Sequence, residues 1–209
     1  MGARDADYYR ALYRVAVAIS SSLDPREVLK SITESVASVL GAKGCSLMLL
    51  SPDGTELYHS AAYGLSDWYV RKGPLKVDET MKESLAGRSV AIVDVANDQR
   101  VQYRPQALQE GIASFLSVPL RIQEGVIGVM RIYSAQRREF AQEEIEFAEA
   151  IANLSALALE KARRYDELKA GYEAVRQDLL EWYASWGLER TADALAGGVG
   201  ADMEDAEAP

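Results

Sequence analysis

"ASFLSVPLRIQEGVIGVMRIYS", running from Ala113 to Ser134, decides the fold. Two apolar runs flank a polar tip, Gln123-Glu124-Gly125. Continuous apolar runs of this length, bounded by a turn signal, read as two strands of a hairpin buried on both faces. The first run carries Pro119 and the second Arg131. A proline fits a ladder where its N–H side meets no partner, or at a bulge. A guanidinium in a central strand needs a partner, because its desolvation cost is severe.

The tip sets what surrounds Arg131. A three-residue loop with Gly125 in the left-handed region pairs Arg131 with Ser117 and Phe115 with Tyr133. A two-residue loop sets Arg131 opposite Val118. The first register is the expected one. It gathers Ser117, Arg131 and Tyr133 on one face, where the guanidinium can meet an anionic ligand or an internal acid such as Asp94. The alternative is an Arg131 that snorkels to solvent at the sheet end.

Upstream, Tyr8, Leu12, Val15, Ile19 and Leu23 recur at steps of three or four, one stripe on a helix over about residues 5–22. In "LDPREVLKSITESVASVLGA", Asp24 is placed to cap a second helix. Pro25 suits its first turn, Glu27 completes a capping-box-like pair and Gly41 ends it. "CSLMLL" and "TELYHSAAY" are two strands joined by the turn "SPDG". The middle is irregular: "LSDWYV" and "DETMKESLAG" give short helical turns, "GPLKV" a break, "VAIVDV" a strand, "ANDQRVQYR" a loop and "PQALQEG" another turn. Strands segregated in hairpins, with helices at both ends, imply an α+β fold with an antiparallel sheet.

A long helix starts near Gln142. Ile151, Leu154, Ala158, Lys161, Tyr165, Leu168, Tyr172, Val175, Leu179, Trp182 and Trp186 follow alternating steps of three and four. That 3.5-residue period is a coiled-coil signature, interrupted only by Lys161, and it predicts a homodimer seam. The stretch "TADALAGGVGADMEDAEAP" that follows is small and acidic and is expected to be disordered.

The 209 residues are 48% hydrophobic and 26% charged, ordinary for a globular protein, and the net charge is -9. An acidic chain repels phosphate backbones, so no nucleic-acid partner is expected. One cysteine excludes an internal disulfide framework and a cysteine zinc cluster. No apolar run spans a bilayer and the N-terminus is no secretory signal, so a cytoplasmic protein with no membrane partner is expected.

Four stretches carry a resemblance. They are "DPREVLKSITESVASVLGAKGCSLMLL", "ESLAGRSVAIVDVANDQR", "FLSVPLRIQEGVIGVMRIYS" and "FAQEEIEFAEAIANLSALALEKARRY". In this order and spacing they resemble the GAF domain family, relatives of the PAS sensor fold, over roughly residues 8–163. The resemblance implies a five- or six-stranded antiparallel sheet. The first, second and last helices cover one face, and an irregular lid encloses a small-molecule pocket on the other. Together with the periodicity and composition above, the expected domains are a GAF-like domain at 1–163, a helical extension at 164–188 and a disordered acidic tail at 189–209.

Trp68, Tyr69, Met81, Asp94, Tyr103, Phe115, Ser117, Met130, Arg131 and Tyr133 are the pocket candidates. Apolar ones among them serve equally well as core. Ile151, Leu154, Ala158, Tyr165, Leu168, Tyr172, Val175, Leu179 and Trp182 are the seam candidates. Asp94, Asn97, Asp98 and Arg100 read as turn-formers bonding nearby backbone. Cys45 reads as a small buried residue. The free methionine sulfoxide reductases also resemble this fold, but they use several cysteines, and one thiol cannot form and resolve an internal disulfide. The Asn-Lys…Phe…Asp-Glu signature of cyclic-nucleotide-binding relatives is missing. His59, the single histidine, leaves a triad or a zinc site without partners and reads as a packing residue rather than a haem ligand. No catalytic residue, metal or cofactor is expected. The expected protein is a non-catalytic sensory module that binds a small molecule and signals through dimer-forming helices, acting on a separate signalling protein. The alternative is a dimerisation scaffold whose pocket is filled by its own side chains and binds nothing.

Overall fold

The computed structural model of the protein describes residues 3–21, 24–77, 81–123 and 125–185. Leu23, Trp186 and the expected acidic tail lie outside them. The chain divides into two units, Met1–Ala162 and Arg163–Pro209.

In the first unit, helix α1 (Ala3–Ser21) precedes α2 (Pro25–Val39). The Asp24 carboxylate accepts the Arg26 N–H at 2.8 Å and Pro25 opens the helix, as the sequence predicts. Gly41 takes a φ of 55° just past the cap, and the Ala42 N–H reaches back to the Ala37 carbonyl at 2.8 Å. That closure needs a residue tolerant of left-handed backbone. Strands β1 (Gly44–Leu50) and β2 (Glu56–Tyr63) follow. Then come α3 (Asp67–Val70), β3 (Leu75–Lys76), α4 (Lys82–Leu85), β4 (Val90–Ile92) and α5 (Arg104–Gln109). Strands β5 (Ser114–Ile122) and β6 (Gly125–Ser134) form the hairpin, and α6 (Gln142–Ser185) begins in this unit.

The sheet has six strands in the order β3-β2-β1-β6-β5-β4, with every adjacent pair antiparallel. The sixth is β3, two residues paired to Glu56 and Leu57, where the sequence suggests only a break. One face is closed by helices. Ala11 and Val15 of α1, Ile32 and Val36 of α2, and Phe147, Ile151 and Ala152 of α6 join Cys45, Leu47, Leu116, Val118, Met130 and Ile132 in one buried cluster. Tyr8 stacks on Phe147 at 4.6 Å. The other face carries α3, α4, α5 and their loops as a lid, packed in two separate apolar clusters.

The hairpin register is the expected one, for a different reason. Ser117 pairs with Arg131 and Phe115 with Tyr133. The connection, however, leaves only residues 123 and 124 between Ile122 and Gly125. A bulge at Ile127, between the pairs Arg121–Val126 and Leu120–Gly128, restores the one-residue offset. Gly125 sits at φ 140°, outside the left-handed helical basin assumed for it. Pro119 is accommodated because β4 pairs only with Phe115–Ser117, so no ladder from that side reaches it.

Ile151, expected on the dimer seam, is instead fully buried in the helix-side core, with Leu154 and Ala158 packed against that core. A three-four repeat marks an apolar stripe without saying what covers it, and here the chain's own sheet does. In the second unit, Tyr165, Leu168, Tyr172, Val175, Leu179 and Trp182 are all exposed, Leu168 to 74%.

Candidate functional site

Side chains alternate across strands, so the paired residues define rows on the lid face. One row runs Ile92, Phe115, Tyr133 and feeds the first lid cluster with Tyr69, Val95, Ala107 and Ile112. Another runs Val129, Met48 and feeds the second with Leu57, Leu75 and Met81. Between them lies a polar row: Ser117, Arg131, Ser46. This row is why the lid face packs as two clusters instead of one.

Arg131 is 9% exposed. Its Nε donates to Ser117 Oγ at 2.9 Å, and Nη2 lies 3.0 Å from the Met81 sulfur. The guanidinium carbon sits 4.6 Å from the centre of the Phe115 ring. Tyr133, whose hydroxyl is 3.0 Å from Ser46 Oγ, also feels the guanidinium, which eases a phenol pKa that burial pushes up. All these partners are neutral. Among the described residues no carboxylate pairs with Arg131.

Two more basic groups join this face. In β2 a bulge at Ser60 lets Met48 pair with His59 while Leu47 pairs with Ala61, which turns His59 onto the lid face. Lys72, just past α3, places Nζ 3.3 Å from His59 Nε2, 3.0 Å from the Tyr69 carbonyl and 3.8 Å from the centre of the Tyr69 ring. An ammonium only donates, so Nε2 must accept and the imidazole proton sits on Nδ1. That Nδ1 is buried and has no hydrogen-bond partner. Burial, then Lys72, then Arg131 push the His59 pKa down to about 4. Burial and then Arg131, against a weaker pull from Glu110, bring Lys72 down to about 8. Glu110 is occupied elsewhere: it accepts the Ser66 N–H at 2.9 Å and hydroxyl at 2.5 Å, and lies 3.7 Å from Lys43.

Of the pocket candidates, the structure brings Tyr69, Met81, Phe115, Ser117, Arg131 and Tyr133 together. Tyr103 lies at the edge of the second lid cluster, its hydroxyl on the Pro74 carbonyl at 3.0 Å. Three are corrected. Met130 belongs to the helix-side core, since its neighbour Arg131 faces the lid and adjacent residues of a strand face opposite ways. Trp68 is exposed on α3, where the lid buries Tyr69 instead. Asp94 does not meet Arg131. It holds its own loop through the Ala96 N–H at 3.2 Å and the Asn97 amide at 2.8 Å, and pairs with Arg137 at 3.1 Å. Asp98 likewise binds Arg100 at 2.6 Å.

Sequence reasoning missed Lys72 altogether; its one local signal is a base directly before the Gly73-Pro74 break. Ser46 was equally unmarked. Cys45 is fully buried on the helix face, so its thiol pKa is pushed up and it lies across the sheet from this site. No group of three metal-ligating side chains occurs among the described residues. No helix among them is long and apolar enough to cross a membrane. A groove lined by Leu49, Leu50, Ser51, Pro52, Asp53, Glu56 and Tyr58, at the β1–β2 turn, is open surface away from these groups.

Comparison with known proteins gives one family match: GAF domain, over residues 24–159. No curated protein matches the chain. Among solved structures, the GAF domain of a phosphoenolpyruvate-protein phosphotransferase from Coxiella burnetii superposes with a TM-score of 0.70 at 21% identity, covering 79% of this chain and 99% of that one. The corresponding domain from Acinetobacter gives 0.64 at 21% identity, with 78% and 97% covered. The phycoerythrobilin-bound GAF domain from a cyanobacterial phytochrome gives 0.62 at 17% identity, with 76% and 97% covered. At these identities the likeness is one of fold.

Proposed function

The chain belongs to the GAF domain family, and on that premise we propose that it is a non-catalytic sensory module. A small molecule binds between the polar row of the sheet and the lid, and the response leaves through the terminal helices of a homodimer to a separate signalling protein. The observation that carries this reading is the buried Arg131, whose described partners are all neutral. Burying a guanidinium among neutral groups costs stability, and such a cost is typical of a site kept for a ligand. The phytochrome relative is bilin-bound, so the fold accommodates a small molecule. A catalytic reading has less support. The only thiol faces the helices, and the only imidazole is engaged by Lys72.

For output, α1 exposes Tyr9, Tyr13 and Val17, and the second unit exposes the row from Tyr165 to Trp182. Contiguous apolar surface of this kind marks interaction sites. A ligand that favours one arrangement of lid and helices shifts the population toward it.

One observation favours a second reading, a scaffold that binds nothing: Tyr69, Met81, Phe115 and Tyr133 are at most 5% exposed, so lid side chains close directly on the sheet. Native mass spectrometry of the purified chain, with a thermal-shift screen of a metabolite library, separates the two. A co-purifying small molecule or a raised midpoint supports the sensor. A dimer that no compound stabilises supports the scaffold.

A further inference from the structure

If the lid face is a ligand site, its chemistry narrows the ligand. We propose that it takes an organic monocarboxylate, whose carboxylate displaces the Met81 thioether from Arg131 and whose apolar body lies against Tyr69, Phe115 and Tyr133. This inference rests on the sensor reading above.

Thioether sulfur is a weak acceptor, yet it is what Arg131 Nη2 meets at 3.0 Å. A carboxylate oxygen at that position makes a charge-assisted bond, roughly twice as strong as a neutral one. Methionine is unbranched and adaptable, so Met81 can give way at little cost. Lys72 supplies a second cation whose closest polar contacts are a carbonyl oxygen and a neutral imidazole. The buried Nδ1–H of His59 is a further donor without an acceptor.

The surroundings select the class. Arg131 and Lys72 have no acid of their own among the described residues, because Glu110, the one acid that acts on Lys72, is held by Ser66 and Lys43. Two cations facing neutral groups favour an anionic ligand, and one carboxylate fits the place of the single sulfur that Nη2 meets. The polar row is flanked on both sides by apolar clusters, which suits a carboxylate joined to a hydrophobic body rather than a free inorganic ion. The setting sharpens the case: a chain with net charge -9 has acids in excess, yet none of those described pairs with this guanidinium.

The test uses the full chain at pH 7 and constant ionic strength, with benzoate, benzamide and inorganic phosphate as probes. Titration calorimetry and thermal shift give the affinities. Millimolar benzoate is expected to raise the unfolding midpoint, while benzamide and phosphate leave it in place. Arg131→Gln is expected to weaken benzoate binding about 10- to 100-fold, as loss of a charge-assisted bond does. Lys72→Gln should weaken it less, and Lys30→Gln on exposed α2 surface should not change it. Should Arg131→Gln fail to fold, Lys72→Gln decides alone. Benzamide binding as well as benzoate, or phosphate binding better, overturns the carboxylate assignment but leaves a small-molecule sensor standing. So does a benzoate response untouched by Lys72→Gln and Arg131→Gln. Silence from all three probes overturns the assignment; silence from the metabolite library as well removes the sensor reading with it.

Discussion

Arg131 and Ser117 face each other across β5 and β6, and Nε of the arginine donates to Oγ of the serine at 2.9 Å. This bond anchors the guanidinium beside the weaker contacts to the Met81 sulfur and the Phe115 ring. Ser117→Ala removes the acceptor and leaves a buried charged donor unmet, so the expected loss is about 1–3 kcal/mol. Urea unfolding monitored by circular dichroism should show a lower midpoint with an unchanged slope. A neutral result would mean that Met81 and Phe115 suffice.

His59 makes stability fall with acid in a defined window. Its folded pKa is about 4, below the unfolded value of about 6.5. The unfolded chain therefore takes up the proton first. Stability is intact above pH 6.5, declines as pH falls toward 4, and the loss is complete below that. The shift corresponds to about 2–3 kcal/mol once partial exposure is allowed for. The lowered carboxyls Asp94, Asp98 and Glu110 add their losses only at the acid end. Lys72 acts at the other end: with a folded pKa of about 8, native chain loses its proton first, so stability rises between pH 8 and about 10.5. His59→Gln should flatten the acid slope. The single imidazole also gives one proton resonance, and a midpoint near 6.5 in the folded chain would contradict its burial.

Much of this was legible in the sequence wherever the signal was local. Asp24, Pro25 and Gly41 bound α2 because caps and turns depend on a few adjacent residues. The pairing of Arg131 with Ser117 followed from the hairpin's apolar pattern, although through the wrong turn. The bulges at Ser60 and Ile127 escaped notice because packing sets them, not any residue type. Yet Ser60 decides that His59 faces Lys72, so half of the candidate site was hidden with it. Met130 could have been excluded at once: the strand period forbids it the same face as Arg131.

Cys45 offers a direct check of which face is which. It is fully buried against α2 and α6 core, and burial pushes its thiol pKa up. Only the thiolate attacks. In the native chain an aromatic disulfide reagent should therefore release almost no chromophore at pH 8, and in urea it should release one equivalent. Fast native reaction would mean that the helix layer opens readily. Benzoate, bound across the sheet, should not compete with the reagent for the thiol.

The same three-four spacing serves two purposes along α6, and paired substitutions tell them apart. Ile151 is sealed in its own core, so Ile151→Ala should cost about 2–5 kcal/mol of stability and leave the molecular mass unchanged. Leu168 and Val175, in the second unit, are 74% and 68% exposed. If a second copy covers them, light scattering at micromolar concentration should give twice the 22.9 kDa of one chain. Val175→Glu should then lower the mass to that of one chain, because each carboxylate enters an apolar seam next to its like-charged copy. The midpoint of the first unit should hardly move. A wild-type monomer, or a Val175→Glu dimer as tight as wild type, would remove the distal row from any role in assembly. The exposed Tyr9, Tyr13 and Val17 of α1 would then be the remaining surface for a second chain.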